Sequence, residues 1–306
     1  MSTVTQTSLR PVWDEEPSLL GKIGKALALA LVTLAVLFPL YIVVLTSISS
    51  AQAINEAGGL VIVPNGFSFD AYAEVLGGGV VLKALTVSIG ITVVGTALSL
   101  SVTAMAAYGL SRPGSLLHRP LLFAVLITFL FGPGIIPSYI MVYSLGLLDS
   151  YASLILPAAI SAFNLVVLRA FFMAIPGEVI ESARIEGATD FQIFRKIVLP
   201  LSKAALAVIG LFYAVAYWNA FFNALLYLND SGKWPLQLVL RTYILQGQPM
   251  QTASGVMDAS GLGLSAVPVT SVRMAVLVLA MIPVVLIYPF IQRHFIKGVI
   301  IGAVKG

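Results

Sequence analysis

Residues 84–111 read ALTVSIGITVVGTALSLSVTAMAAYGLS, 28 consecutive positions without an Asp, Glu, Lys or Arg. At about 1.5 Å per helical residue such a run outreaches the roughly 30 Å hydrocarbon core of a bilayer. A backbone in hydrocarbon must pair its own N–H and C=O groups, so the run predicts a helix. The strict apolar–polar alternation of a membrane barrel is absent from it.

Five more charge-free windows flank this one. They hold 30 residues between Lys25 and Glu56, 29 between Arg119 and Asp149, and 19 between Asp149 and Arg169. A further 26 lie between Lys203 and Asp230, and 19 between Arg273 and Arg293. Together the windows predict spans over Ile23–Ser47, Ala84–Leu110, Pro120–Ser144, Ala152–Met173, Ala204–Leu228 and Val272–Ile291. The fold class is an all-α membrane protein with six transmembrane helices. Composition excludes the soluble and disordered classes: 10% of the 306 residues are charged, where a soluble domain carries about 25%. With no cysteine and two histidines, no disulfide, iron–sulfur cluster, thiol nucleophile or His-rich metal site is expected. The net charge of +4 needs no nucleic acid; an anionic lipid bilayer is a sufficient partner.

Orientation follows from the basic residues. With the N-terminus inside, the inner segments hold 12 of the 17 Lys and Arg residues, which puts both termini in the cytoplasm of a multi-pass cell-membrane protein. Ala51-Gln52-Ala53 imitates a signal-peptidase site, but the apolar run before it is longer than a signal peptide's, so no cleavage is expected. The chain divides into a cytoplasmic tail (1–22), a first helix (23–47), a five-helix transmembrane domain (80–292) and a cytoplasmic tail (293–306). Turn signals at Pro64-Asn65-Gly66 and Gly77-Gly78-Gly79 mark an external stretch between the first two spans, and 228–271 is the longest outer segment.

Two spans carry internal irregularities. Gly95, Ser99, Thr103 and Ala107 recur every four residues, a stripe that lets membrane helices pack closely or slide. Phe131-Gly132-Pro133-Gly134 and Pro137 break the third span, which predicts either pathway lining or a bend.

The inner segment 175–200 is polar and long for this chain. Glu178 suits the first turn of a helix, Gly187 its end, and Thr189 with Gln192 a capping box that opens a second helix. Phe191 and Phe194 are expected to share a face with Val198, and Pro200 ends the segment. A helix–turn–helix too polar for lipid and too apolar for water predicts a docked protein partner.

This segment resembles the E-A-A-x3-G-x9-I-x-L-P loop of binding-protein-dependent ABC importers. Glu181, Ala183, Gly187, Ile197, Leu199 and Pro200 match, and Ser182 stands for the middle alanine. The tail Gln292–Gly298 with Gly302–Gly306, the stretch Leu199–Lys203, Trp218-Asn219 and Pro235-Leu236-Gln237 are similar to the carbohydrate-type permeases related to the maltose importer, oligosaccharide branch. The resemblance implies the type I importer permease fold and one half of a gate that alternates its access. It implies four partners: a second homologous permease, two ATP-binding subunits and an extracytoplasmic sugar-binding protein. The loop helix would dock on an ATP-binding subunit through Glu181, Ser182, Ala183, Gly187 and Ala188. ATP would be bound by those partners; Gly21-Lys22, Gly24-Lys25 and Gly232-Lys233 lack the rest of a phosphate-binding loop, so no cofactor is expected in this chain.

Candidate substrate-path residues are Asn164, Tyr213, Trp218, Asn219 and Asn223, whose amides and rings suit hydroxyls and the apolar faces of sugars, or else join helices. Arg169 either lines a water-filled route or snorkels to inner headgroups. An ion-coupled secondary transporter is the alternative function; the spans offer almost no mid-membrane ionisable groups for it. An enzyme is not expected, because His118 and His294 lie at the membrane edge and no acid pair or metal cluster lies within the spans.

Overall fold

A computed structural model describes residues 18–77, 79–112, 118–245, 250–252, 255–257 and 267–303. Among these residues the fold is helical, apart from one antiparallel hairpin, Met250–Thr252 with Gly255–Met257. Among the described residues three helices are long and apolar enough to cross a membrane alone: α1 (Leu19–Ser47), α4 (Val80–Ser111) and the last helix, α14 (Val269–Ala303), within its first part. Most of the expected tail 1–22 lies outside the described residues. Its last residues are helical, because the Ser18 hydroxyl accepts from the Gly21 N–H at 3.2 Å and starts α1 early. At the other end α14 runs across the tail boundary expected at 293 as far as Ala303.

The other three expected spans are interrupted. Pro120–Ser144 is not one helix but two, α5 (His118–Leu130) and α6 (Ile135–Ser144), bent by 119° at the Gly-Pro-Gly run, where Gly134 takes φ +81°. The stretch Ala152–Met173 is split into a single turn, α7 (Ala152–Ile155), and α8 (Ala162–Met173); Pro157 falls in the gap and Ser161 caps α8. The stretch Ala204–Leu228 is split at Asn219–Phe221 into α11 (Lys203–Trp218) and α12 (Phe222–Tyr227). Between α8 and α11 lie α9 (Gly177–Ile185) and α10 (Asp190–Leu201), set at 71° to α8 and 83° to α11 respectively. Two short helices, α2 (Ala51–Glu56) and α3 (Asp70–Leu76), fill the stretch between α1 and α4, and α13 (Leu236–Val239), continued as a π-helix over Leu240–Leu245, precedes the hairpin.

The bundle is organised around α4. The small-residue stripe predicted on it is a packing seam with α11, and it carries hydrogen bonds. A Cβ on Gly95 would sit 2.9 Å from the Tyr217 ring, so the ring lies directly on the α4 backbone. One turn on, Ser99 Oγ bonds the Tyr217 hydroxyl at 2.8 Å; one turn further, Thr103 Oγ1 bonds the Tyr213 hydroxyl at 2.7 Å. Both pairs are buried, and Ala107 closes the stripe fully buried. Leu168 and Phe172 of α8 and Ile209 of α11 complete this core. A second core joins α3, the start of α4, α13 and α14 around Trp218, whose indole N–H donates to the Ala280 carbonyl at 3.0 Å.

Around these cores the surface is greasy. Leu27, Leu34 and Val36 of α1 and Phe123, Phe129, Ile136 and Met141 of α5 and α6 are more than half exposed. In water an apolar area of that extent would drive aggregation; in a bilayer it is solvated by lipid or covered by a neighbouring helix.

Candidate functional sites: a polar elbow and an inter-helix cavity

The elbow formed by α9 and α10 is built by local rules. After Glu186 the chain turns at Gly187, φ +85°; its N–H bonds the Arg184 carbonyl at 3.0 Å and the Ala188 N–H reaches back to the Ala183 carbonyl at 2.9 Å. This pair of bonds is the glycine-dependent helix stop. Thr189 then caps α10. Its hydroxyl accepts from the Gln192 N–H at 3.4 Å while Gln192 Oε1 accepts from the Thr189 N–H at 2.9 Å, so the expected capping box is complete. Arg184 and Asp190 pair across the turn at 3.1 Å, both mostly exposed, and the pair contributes little beyond orientation. Over Phe194–Val198 α10 widens to π geometry just before Pro200, which has no N–H to give.

The elbow has an inner and an outer side. Ile180, Ala183, Ile193, Phe194 and Val198 are buried in the same core as α4, α8 and α11, and Ala188 packs against it. Tyr108 of α4 clamps the joint: its ring lies 4.9 Å from that of Phe194, and its hydroxyl donates to the Asp190 carbonyl at 3.1 Å and accepts from Arg112 Nη2 at 2.6 Å. Glu181, Ser182 and Gly187 lie on the outer side. Phe191 does not share the inner face of Phe194 and Val198: it precedes the change to π geometry that begins at Phe194 and is 66% exposed. With Ile185, 87% exposed, it gives the elbow an apolar tip that the spacing of the motif did not single out. The signal was present as two large apolar residues in an otherwise polar segment.

A cavity of about 610 Å³ lies where the fourth span is interrupted. Tyr213 and Tyr217 of α11 form one wall and bond what the interruption leaves free. The Ser161 N–H donates to the Tyr213 hydroxyl at 2.9 Å, and the Tyr217 hydroxyl donates to the Ile155 carbonyl at 3.2 Å. The structure brings Asn164, Tyr213 and Asn223 together on this cavity, beside the rings of Phe163 and Phe212. Asn164 is buried within the chain and lines the cavity. Trp218 and Asn219 lie elsewhere: Trp218 in the second core, Asn219 exposed and bonded to the Val215 carbonyl at 2.9 Å. Ser161, Phe163 and Phe212 were missed by the sequence reading. The matching four-residue spacings of Ser99/Thr103 and Tyr213/Tyr217 are the signal that pairs the two helices.

Asp149 ties the loop after α6 to the segment after α12. It takes φ +57°, and its Oδ1 accepts from the backbone N–H of Asn229 at 3.2 Å and of Asp230 at 3.0 Å. Its Oδ2 accepts from Lys233 Nζ at 2.9 Å. The Lys233 ammonium, aided by the Asp230 N–H, holds the Asp149 carboxyl below its ordinary value; the same bond raises Lys233. No group of three or more metal-ligating side chains occurs among the described residues.

A bundle wrapped around a tyrosine seam, with a rigid polar elbow between two spans, defines a transport permease. Residues 99–301 match the family described as binding-protein-dependent transport system inner membrane component, and the chain belongs to that family. It is therefore a multi-pass protein embedded in the membrane. It is 51% identical over 246 residues to the polygalacturonan/rhamnogalacturonan transport system permease protein YtcP of Bacillus subtilis (strain 168), covering 80% of this chain and 85% of that protein. It is 28% identical over 290 residues to the arabinooligosaccharides transport system permease protein AraQ of the same organism, covering 93% of this chain and 96% of that one. Among solved structures it resembles a chain of a bacterial ABC transporter involved in the import of the acidic polysaccharide alginate. That likeness has TM-score 0.84 and 31% identity, and covers 94% of this chain and 100% of the other.

Proposed function

We propose that this chain is one of two permeases in an ATP-driven importer of oligosaccharides, with both termini cytoplasmic and the elbow 175–200 coupling the spans to an ATP-binding subunit. The observation that carries the reading is the two-sided elbow. Its inner side is locked into the helix core while its tip presents Ile185 and Phe191, an apolar pair on a polar surface. A docked subunit moving this knob moves α8 and α11 with it. Glu181, Ser182 and Gly187 are exposed for the contact; Ala183 and Ala188, small and turned inward, let the elbow lie close to α4 and α8. The second permease, two ATP-binding subunits and an extracytoplasmic sugar-binding protein complete the assembly. ATP is bound by the partners and this chain needs no cofactor of its own.

The cavity supports the substrate class. Its volume falls within the roughly 300–1,000 Å³ of small-molecule sites, and it offers what a sugar ring needs: amides for hydroxyls at Asn164 and Asn223, aromatic faces at Phe163 and Phe212 for C–H surfaces. The named relatives that carry polygalacturonan, rhamnogalacturonan, arabinooligosaccharides and alginate point the same way. The test is uptake by vesicles holding the complete importer and its extracytoplasmic binding protein, challenged with a panel of oligosaccharides. Uptake that needs both internal ATP and the binding protein supports the reading. Uptake driven by an ion gradient without ATP would replace it with the secondary-transporter alternative.

A further inference from the structure

We infer that the chain holds one anionic phospholipid at its inner edge, with the headgroup in a basic cleft and an acyl chain in an adjoining apolar groove. The same three helices build both parts. The ends of α4 and α8 and the start of α5 meet where Arg169 Nε donates to the Leu110 carbonyl at 2.8 Å and Arg169 Nη2 donates to His118 Nε2 at 3.3 Å. Here, beside α9, lies a cleft of about 430 Å³. Arg112, Arg169, Arg184 and His118 line it against a single carboxylate, Glu181. Arg184 is paired with Asp190 at 3.1 Å, but no ion pair joins Arg112, Arg169 or Glu181 to any partner among the described residues, so two further guanidinium charges converge on a space lined by one carboxylate.

The cleft also holds unmet donors. Because a guanidinium can only donate, His118 Nε2 accepts and Nδ1 carries the proton. His118 Nδ1 and Arg112 Nε are both buried without a partner among the described residues. Orphaned N–H groups and uncompensated cations call for an anionic oxygen, and a phosphate supplies several.

The second, independent observation is apolar. On the lipid side of the same junction a groove of about 470 Å³ runs between α4, α5 and α8, lined by Ala106, Gly109, Leu121, Ala124, Val125 and Leu165. Its lining is almost free of polar atoms, and a Cβ on Gly109 would meet nothing within 4 Å. Leu110 and Arg169 are where cleft and groove meet: the Leu110 side chain lines the groove and its carbonyl holds the arginine. A soluble anion would explain the cleft and leave the groove idle. A zwitterionic lipid would fill the groove and bring its own cation to the arginines. An anionic phospholipid fits both, at the membrane level where basic pockets between helices take headgroups. The bound headgroup would bridge α4, α5 and α8 to the first helix of the elbow through Arg184. The inference does not depend on what the importer carries.

The test is native mass spectrometry of the complete importer purified from vesicles of phosphatidylglycerol mixed with phosphatidylcholine. Wild type is expected to retain phosphatidylglycerol selectively through detergent exchange. Arg112→Gln removes headgroup donors, and Gly109→Phe fills the groove from a position with open space around it. Each should cut retention about tenfold, with inorganic phosphate failing to displace the lipid from wild type (tenfold is about 1.4 kcal/mol). Equal retention of the two lipids overturns the inference. So does displacement by inorganic phosphate with Gly109→Phe unaffected, which would make the occupant a soluble anion.

Discussion

Gly187 separates two demands that a helix stop usually mixes, and substitutions there can rank them. At φ +85° an L-residue suffers roughly 1–2 kcal/mol of left-handed backbone strain, Asn less than Ala because its amide bonds locally, and a β-branched residue most. The chain itself adds no steric cost, since a Cβ at Gly187 meets nothing within 4 Å. Strain alone therefore ranks Gly187→Asn above Gly187→Ala above Gly187→Val. A closely docked ATP-binding subunit ranks them by size instead, with Ala best. Forcing an Asn side chain into a packed interface costs on the order of 1–3 kcal/mol, about 5- to 150-fold in association. The assay is ATP-driven uptake in proteoliposomes, paired with hydrogen exchange at the Ala188 amide to report the helix stop. The expected outcome is that Gly187→Asn keeps the stop nearly intact yet transports worse than Gly187→Ala. Wild-type uptake by Gly187→Asn, or an order that follows strain, would refute the docking argument.

Gly95→Leu should destabilise the bundle by about 2 kcal/mol, because its Cβ alone would lie 2.9 Å from the Tyr217 ring and α4 must move away from α11; thermal unfolding in detergent checks this, with Gly90→Leu, at an open position of the same helix, as the neutral control. The Asp149–Lys233 clasp has a defined pH window. The lowered Asp149 pKa makes its contribution full above the ordinary carboxylate value of 3.8 and lost as pH falls through the lowered value; the raised Lys233 pKa makes its contribution full below 10.5 and lost as pH rises through the raised one. Protection of the Asn229 and Asp230 amides should therefore fall as pH drops through the lowered Asp149 value in wild type, and Asp149→Asn, which has no carboxylate to titrate, should lose that acid-side dependence.

Much of this fold was legible because it is local. Charge-free runs report transfer into lipid residue by residue, and they mark α1, α4 and α14 directly. The elbow was equally legible: Gly187, Thr189 and Gln192 act within one turn of themselves. The interruptions at Pro157 and Asn219 were not, because hydropathy is indifferent to whether a helix is continuous. What permits the break after α7 is a partner far along the chain, Tyr213 for the Ser161 N–H and Tyr217 for the Ile155 carbonyl, 52 and 62 residues away. The same distance hid the cluster of Arg112, His118 and Arg169, three edge residues that looked like separate topology signals. Inward and outward sides of the elbow were also closed to the sequence. The motif spacing treats Ala183 like Ser182, whereas packing against α4 and α8 buries one and exposes the other.

The tyrosine seam has a mechanical corollary. Prising α11 from the fourth span would leave a backbone amide hydrogen and a carbonyl without their partners at once, a larger cost than the about 0.6 kcal/mol of a typical inter-helix hydrogen bond in a membrane. The two therefore travel as a single cassette, with α4 stitched to it through Ser99 and Thr103. The compliant parts are left to be α5 and α6, which bury a single residue between them. On the proposed coupling, a stroke delivered at the elbow would swing the cassette whole, with the sharp bend at Gly134 as the place to give.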